Sequence, residues 1–497
     1  MKSLERDALE VLGLVRSLQN SIAPINRIPP VVLLLIPEYF HENDMDQGLL
    51  TLTHVCRGWR EIFTSRSSLW TKLNFTSVDR TRAYIQRSKS SPLKIHIEYG
   101  QDPPFLDNAF SLVIPHLHRL KSLVVSTRVR SDFFKHFYYH APLLEELDIF
   151  DVDSQGLVFS NKFFNGDLSS LRKLSLGGVI THLPWKNLTN LKYLSISSST
   201  PAYNMTQLLD LFEHTPQIHT VVLGNSIPSS SGAPPERIIP LRHLKTLRIS
   251  ANPAHSIVLN HLSIPTGASL RQSFCYRGKK SPLLYHLPET LSNLKNLSNI
   301  TALNLRFNSR LKLLKVAGPS GGLRIGAYWL DGAIDTYNMD RWILHSLGLF
   351  PLSTIQRLSF SEYDHPGPDG IDECPIFRTL SSTNNIQTLV LIKCNNQQPF
   401  ILALDPAENP TELLLCPNLE NFVLYIESLD QFRTDYLIDM AENRASRGAK
   451  LSSITIVGLN ELALGKEVLK LKEHVTNVEY RVDDESPAWD DNGYGSE

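Results

Sequence analysis

Cysteine is scarce in this chain: five residues among 497, at Cys56, Cys275, Cys374, Cys394 and Cys416, odd in number and far apart. With no Cys-x-x-Cys pair, that usage excludes a disulfide framework or a zinc cluster and fits reduced thiols. An excess of one charge is missing too. Lys and Arg number 49 against 50 for Asp and Glu, a net charge of −1, which leaves no electrostatic footprint for nucleic acid or an anionic membrane surface. No apolar run approaches the roughly 20 residues that span a bilayer. The opening MKSLERDALEV is broken by charges where a secretory signal would be apolar, so the expected location is the cytoplasm, the nucleus or both. Without export, the Asn-x-Ser/Thr triplets at Asn74, Asn187, Asn204, Asn296 and Asn299 are compositional accidents.

Catalytic vocabulary is equally thin. No Gly-rich phosphate loop and no paired-carboxylate motif occurs, and no cofactor or metal is expected. GPSGG at Gly318–Gly322 matches the Gly-x-Ser-x-Gly nucleophile elbow, which needs a strand before it and a helix after it. The following LRIGAYW reads as a strand, so the glycines fit a hairpin turn better than a catalytic Ser320. His136 and His140 stand four apart in an expected helix, the spacing of a metal pair, but aromatics surround them and no acid shares their turn.

What the chain does have begins at its front. Leu4, Ala8, Val11, Leu12, Val15 and Leu18 fall at helical spacing with charges between them, giving an amphipathic helix that ends before Pro24. It could pack on the next segment or form the stub of a coiled coil. Pro24 and Asn26 read as a hinge. Pro29-Pro30 can seat a helix N-terminus, and Val31 to Phe40 is apolar nearly all round. After a polar break, Asp44 and Gln47 suggest a capping box. From there Leu49, Leu52, Cys56, Trp59 and Phe63 make one helical stripe, widened by Leu50, Val55 and Ile62. That is more apolar face than a 40-residue unit buries alone, and it argues for a partner protein.

These residues resemble an F-box, the helical module that docks on a Skp-family adaptor in cullin–RING ubiquitin ligases. The resemblance rests on Ile28-Pro29-Pro30, on Val55-Cys56-Arg57-Gly58-Trp59 and on Ser68-Leu69-Trp70; Val31 stands where an acidic residue often follows the second proline. The text after Trp70 is similar to the expanded F-box families of mushroom-forming fungi, and the similarity runs on loosely through most of the chain. The resemblance implies adaptor-binding roles for Pro29, Pro30, Val32, Leu33, Ile36, Leu49, Leu52, Val55, Cys56, Trp59, Leu69 and Trp70.

From Leu117 onward one phrase recurs, Leu-x-x-Leu-x-x-Leu-x-Leu or a near relative. Its third apolar position steps by 24, 27, 20, 27 and 26 residues through Leu123, Leu147, Leu174, Leu194, Val221 and Leu247. Later it steps by 31, 33 and 32 through Leu358, Leu389, Phe422 and Ile454. This period is that of a leucine-rich repeat, in which stacked turns bury a leucine ladder no single turn could bury. Pro142, Pro216 and Pro417, each five residues before such a position, mark the return from helix to strand. Between Ile249 and Leu303 the pattern is interrupted, and TALNLRF, RLKLLKVAG and GGLRIGAYW then read as a meander.

The expected fold is therefore α/β: a small all-helical F-box followed by an irregular leucine-rich repeat solenoid, or horseshoe. The expected divisions are an N-terminal helix over 1–24, the F-box over 25–72, the solenoid over 73–480 and an acidic, disordered tail over 481–497. Residues between the ladder leucines should face the concave side, among them Glu146, Asp148, Lys173, Ser175, Ser195, Thr246 and Ser359. Tyr193, Arg248 and Arg357 are the candidates there for substrate contact. The expected function is a non-catalytic substrate receptor of a Skp–cullin–F-box ligase, with an unidentified protein substrate. The alternative is a repeat-based interaction scaffold whose F-box serves a purpose other than degradation.

Overall fold

In the computed structural model the chain divides into two compact units, 1–191 and 192–497. The structure describes residues 2–40, 45–97, 103–127, 136–151, 157–159, 163–181, 185–197, 204–224, 237–251, 253–276, 287–288, 291–307, 311–329, 350–361, 380–381, 383–394, 397–408, 414–426, 433–458 and 465–482. The expected disordered tail begins too early: residues 481 and 482 end a strand, and 483–497 lie outside the described residues, as does Asp44 of the expected capping box.

The first unit opens with helix α1 (Lys2–Ile22), followed by a 3₁₀ turn at Pro24–Arg27 rather than a bare hinge. The apolar run after it does not form one helix. It gives α2 (Pro30–Leu33) and a 3₁₀ turn at Ile36–Tyr39, because Pro37 cannot donate to a continuing helix. The single stripe expected from Leu49 to Phe63 is likewise two helices, α3 (Met45–Val55) and α4 (Arg57–Ser65). Cys56 breaks them: it is extended at φ −157° and ψ 174° and its sulfur accepts the Trp59 amide as N-cap of α4. A 3₁₀ turn at Ser67–Trp70, strand β1 (Lys72–Leu73), helix α5 (Val78–Ser88), strand β2 (Leu93–Ile97) and helix α6 (Pro103–Val113) follow.

Strands β3 (Leu120–Thr127), β4 (Glu146–Asp151), β5 (Leu157–Phe159), β6 (Lys173–Gly177) and β7 (Val179–Thr181) complete the unit. β1, β2, β3, β4 and β6 pair in parallel in that order, while β5 and β7 form a separate pair. Register aligns Ile95, Leu123, Leu147 and Leu174, all buried.

The local physics of the repeated phrase is visible at Leu168. The Leu171 amide donates to the Leu168 carbonyl at 3.0 Å, so the first two leucines close a turn and point inward together. The next two, Leu174 and Leu176, alternate inward along β6. The same i to i+3 turn recurs at Leu188–Leu191, Leu241–Leu244 and Cys416–Leu419.

The second unit holds β8 (Tyr193–Ser197), α7 (Met205–His214), β9 (Thr220–Gly224), β10 (Ile239–Pro240), β11 (Thr246–Ala251), β12 (Leu262–Ser263) and β13 (Ser269–Tyr276). Asn204 and Gln207 form a reciprocal capping box on α7. Then come β14 (Ala302–Phe307), β15 (Leu311–Gly318), β16 (Gly321–Trp329), β17 (Arg357–Ser361) and β18 (Thr388–Ile392). Helix α8 (Gln398–Leu404), β19 (Asn421–Ile426), α9 (Thr434–Ser446), β20 (Ser453–Gly458), α10 (Gly465–His474) and β21 (Asn477–Val482) end it.

The expected interruption after Ile249 holds a full strand. β13 continues the parallel run, pairing Leu247 with Leu270 and Leu270 with Leu323. The meander is present, but space reverses its chain order: β16 follows β13, then β15 and β14 antiparallel, and β14 hands on to β17 in parallel. Beyond it Leu358, Leu389, Phe422, Ile454 and Val478 stand in register. β10 pairs with β12 in a separate two-stranded sheet.

Arg444 in α9 is fully buried and donates to the carbonyls of Leu404, Leu415 and Cys416 at 3.3, 2.8 and 2.8 Å. It ties the helix to the chain just before β19, and burial holds its pKa below the ordinary value.

Candidate functional site

Within the first unit, residues 24–76 assemble around three aromatic side chains. Trp59, 7 % exposed, lies 5.8 Å from the Phe63 ring, and Trp70 packs edge-on against Tyr84 at 4.9 Å. Each indole N–H has an acceptor. Trp59 Nε1 donates to Asn26 Oδ1 at 2.7 Å, and Trp70 Nε1 to the Phe63 carbonyl at 2.9 Å. The Cys56 thiol also points at Asn26 Oδ1, at 3.9 Å. One side chain of the turn before Pro29 thus anchors the break between α3 and α4. Arg60 Nε donates to the Thr53 carbonyl at 3.0 Å, fixing the angle between those helices.

The far side is held by Asp46. Its carboxylate accepts from Asn74 Nδ2 at 2.9 Å and from the Tyr84 hydroxyl at 3.3 Å. Burial and the Asp46 charge push the Tyr84 phenol well above its ordinary pKa. Arg87 stacks on the Trp70 ring at 4.3 Å. Gly48 permits the close approach of Phe40, whose ring carbons come within 2.6–2.9 Å of where a Cβ would sit.

The residues singled out for adaptor binding separate by burial. Leu33, Leu49, Leu52, Trp59 and Trp70 are buried and form this unit's own core. Ile36, Cys56 and Leu69 are half-buried, while Pro29, Pro30, Val32 and Val55 are exposed. Around the exposed ones the structure adds Ile25, Val31, Leu35 and Tyr39, with Val31 71 % and Tyr39 85 % exposed. An exposed apolar run over Ile25–Tyr39 was foreshadowed by a segment apolar on all sides; which half would stay outside needed the break at Pro37.

The strand candidates separate too. Tyr193 is half-buried, and Arg248 and Arg357 are exposed. Ser359, expected to face out, is buried at 3 % and donates to Asn304 Oδ1 at 2.8 Å. Both faces of β17 and β18 are buried beyond their first residues. In the first unit Glu146 accepts from Lys173 Nζ and Ser122 Oγ, each at 2.8 Å. Burial pushes Glu146 up, but those hydrogen bonds outweigh it and hold the carboxyl below its usual range; Asp148 is pushed above its range by burial.

The weaker motifs dissolve. Ser320 sits in the β15–β16 hairpin, followed by a strand, with Gly321 at φ +122°. Its hydroxyl accepts from Ser298 Oγ at 3.3 Å, and the strand–turn–helix an elbow needs is not formed. His136 and His140 do not share a helix: the first meets Asp107 at 2.8 Å, the second Asp167 at 2.9 Å. No cluster of three or more His, Cys, Asp or Glu suited to a metal occurs among the described residues, nor a helix long and apolar enough to cross a membrane.

Residues 25–76 match the F-box-like domain family. The chain therefore carries an F-box-like domain, a helical module of a class that generally binds Skp-family adaptors, followed by a large mixed-sheet region of α/β character. No curated protein matches the chain.

Proposed function

We propose that this protein is the substrate-receptor subunit of a Skp–cullin–F-box ubiquitin ligase, itself without catalytic activity. The observation that carries the reading is the F-box-like domain at residues 25–76, folded on its own core and leaving Val31, Val32, Leu35, Tyr39 and Val55 exposed. Apolar groups left in water after the core is satisfied mark a protein-binding surface. The adaptor occupies that surface and brings the cullin.

The ladders that follow are irregular leucine-rich repeats in this reading. Its support is the in-register parallel pairing of the phrase's third apolar position within each unit. A protein substrate binds the outward strand positions, with Tyr193, Arg248 and Arg357 as the contacts and no membrane or nucleic acid involved. The working location is the cytoplasm, the nucleus or both.

Affinity purification of the full chain from its native cell tests the proposal. Recovery of adaptor and cullin together is the expected result. Adaptor without cullin would instead favour a scaffold with a non-degradative F-box, and neither would remove the ligase reading.

A further inference from the structure

Helix α1 presents its apolar side chains to solvent. Leu4, Val11, Leu14 and Ile22 are 76, 60, 64 and 69 % exposed, and the element it chiefly touches is the 3₁₀ turn that follows it. Most helices in proteins owe their stability to a packed apolar face. A 21-residue helix with this composition needs a cover.

The pattern of the face says what covers it. Leu4, Ala8, Val11, Val15, Leu18 and Ile22 recur at gaps of 4, 3, 4, 3 and 4, an a/d heptad seam. Glu5, Arg6, Leu9, Glu10, Gly13 and Leu14 line the cleft toward Arg57 of α4, so the a/d seam, none of whose residues lines it, turns away from that cleft, toward open solvent. Two further leucines flank the seam at mid-helix: Leu12 at position e, clear of the cleft, and Leu14 at position g, which also lines the cleft and is 64 % exposed. In a parallel pair e meets g of the other chain, which sets Leu12 against Asp7 and Leu14 against Gln19. In an antiparallel pair e meets e and g meets g. Leu12 then meets Leu12 and Leu14 meets Leu14 across the two-fold axis, while Glu5 meets Gln19 toward the ends. The seam itself is complementary in that orientation: Leu4 faces Ile22, small Ala8 faces large Leu18, and Val11 faces Val15. Antiparallel helix dipoles add to the preference.

We infer that α1 covers its face with α1 of a second copy of this chain, as an antiparallel two-helix seam, so that two receptors associate through a surface separate from the F-box. A self-complementary patch of this kind gives a closed two-fold dimer.

The test uses the full chain, alone and co-expressed with a Skp-family adaptor, in sedimentation-velocity runs across a concentration series. Wild type is expected to populate a dimer. Leu12→Glu and Leu12→Lys, read separately, should each weaken it by at least about tenfold, since like charges meet at the axis. Mixing the two variants should restore the dimer, because only antiparallel pairing sets residue 12 against itself on this flank. Leu12 is exposed, so both variants should melt like wild type and still bind adaptor, which keeps this result apart from the ligase reading. A wild type monomeric throughout, a dimer indifferent to both variants, or a mixture that stays monomeric would each overturn the inference. So would a dimer that vanishes when adaptor is added, since that self-association would belong to the F-box surface.

Discussion

Trp59 carries the signature that most resembles an F-box, and a large aromatic at an interface centre is a common hot spot. Its place in the structure assigns it different work. The ring is buried within the domain and its N–H is satisfied by Asn26, so Trp59→Ala should cost about 3–5 kcal/mol of stability. Any loss of adaptor binding should then track melting. Asn26→Ala leaves the indole N–H and the Cys56 thiol without that acceptor and should cost about 1–3 kcal/mol. Thermal melts of both variants decide it: a Trp59→Ala protein as stable as wild type but unable to bind adaptor would return Trp59 to the interface.

Asp148 and Glu146 give a second residue-scale prediction with opposite signs. A carboxyl whose folded pKa lies above the unfolded one is the better proton binder when folded. Its contribution to stability therefore falls as pH rises through that window. Asp148 is such a group, so Asp148→Asn should raise the melting temperature at neutral pH, with the difference fading in acid. Glu146 is depressed, so it contributes stability above its unfolded pKa that is lost as pH falls through the folded one. Glu146→Gln should lower the melting temperature at neutral pH, and again the difference should fade in acid. Melts of both variants across a pH series check the pair, and a common sign would contradict it.

At the scale of elements, the ladder was legible because burying one edge of every strand forces a repeating residue type, and Leu147, Leu174, Leu358 and Phe422 are where the phrase puts them. Breaks were not. Cys56 looks like one more apolar residue in a stripe, and only its extended backbone shows it capping a new helix. β13 escaped because its ladder residue Leu270 follows Gly267 and Ala268, without the leading leucines that announce the other turns. Arg444 escaped for the opposite reason: charge predicts exposure, and three carbonyl acceptors reverse it. The burial of Ser359 comes from cover on both faces of β17, which a strand's own sequence does not encode. A prediction at this scale follows from the ladder. Leu358→Asp places a charge where 0 % of the side chain reaches solvent and should unfold the surrounding turns. Arg357→Glu, one residue away and exposed, should cost within about 0.5 kcal/mol. Limited proteolysis of the two variants separates them; equal protection would mean that Leu358 is not a ladder residue.

For the molecule as a whole, the proposed receptor role requires ligase and substrate to be held on surfaces that fail independently, and three classes of variant probe that division. Val32→Asp with Leu35→Asp alters exposed side chains, so the fold should tolerate it. Burying such a side chain against a partner is worth about 1.5–3 kcal/mol, and the pair should weaken adaptor binding by at least about 100-fold, since each 1.4 kcal/mol is tenfold. Leu33→Ala removes a core side chain beside them and should cost about 2–5 kcal/mol of stability, with adaptor binding falling only as the domain unfolds. Arg248→Glu with Arg357→Glu lies in the second unit and should leave adaptor binding at wild-type strength. If either arginine meets a desolvated acid on the substrate, the reversal should cost substrate binding 2–5 kcal/mol. Parallel pull-downs of adaptor and substrate, read beside thermal melts, give each class its own signature. Arginine reversals that lost adaptor, or that left every substrate bound, would remove these two positions from the recognition face. A surface pair that kept adaptor at full strength would move the adaptor site off the Ile25–Tyr39 run altogether.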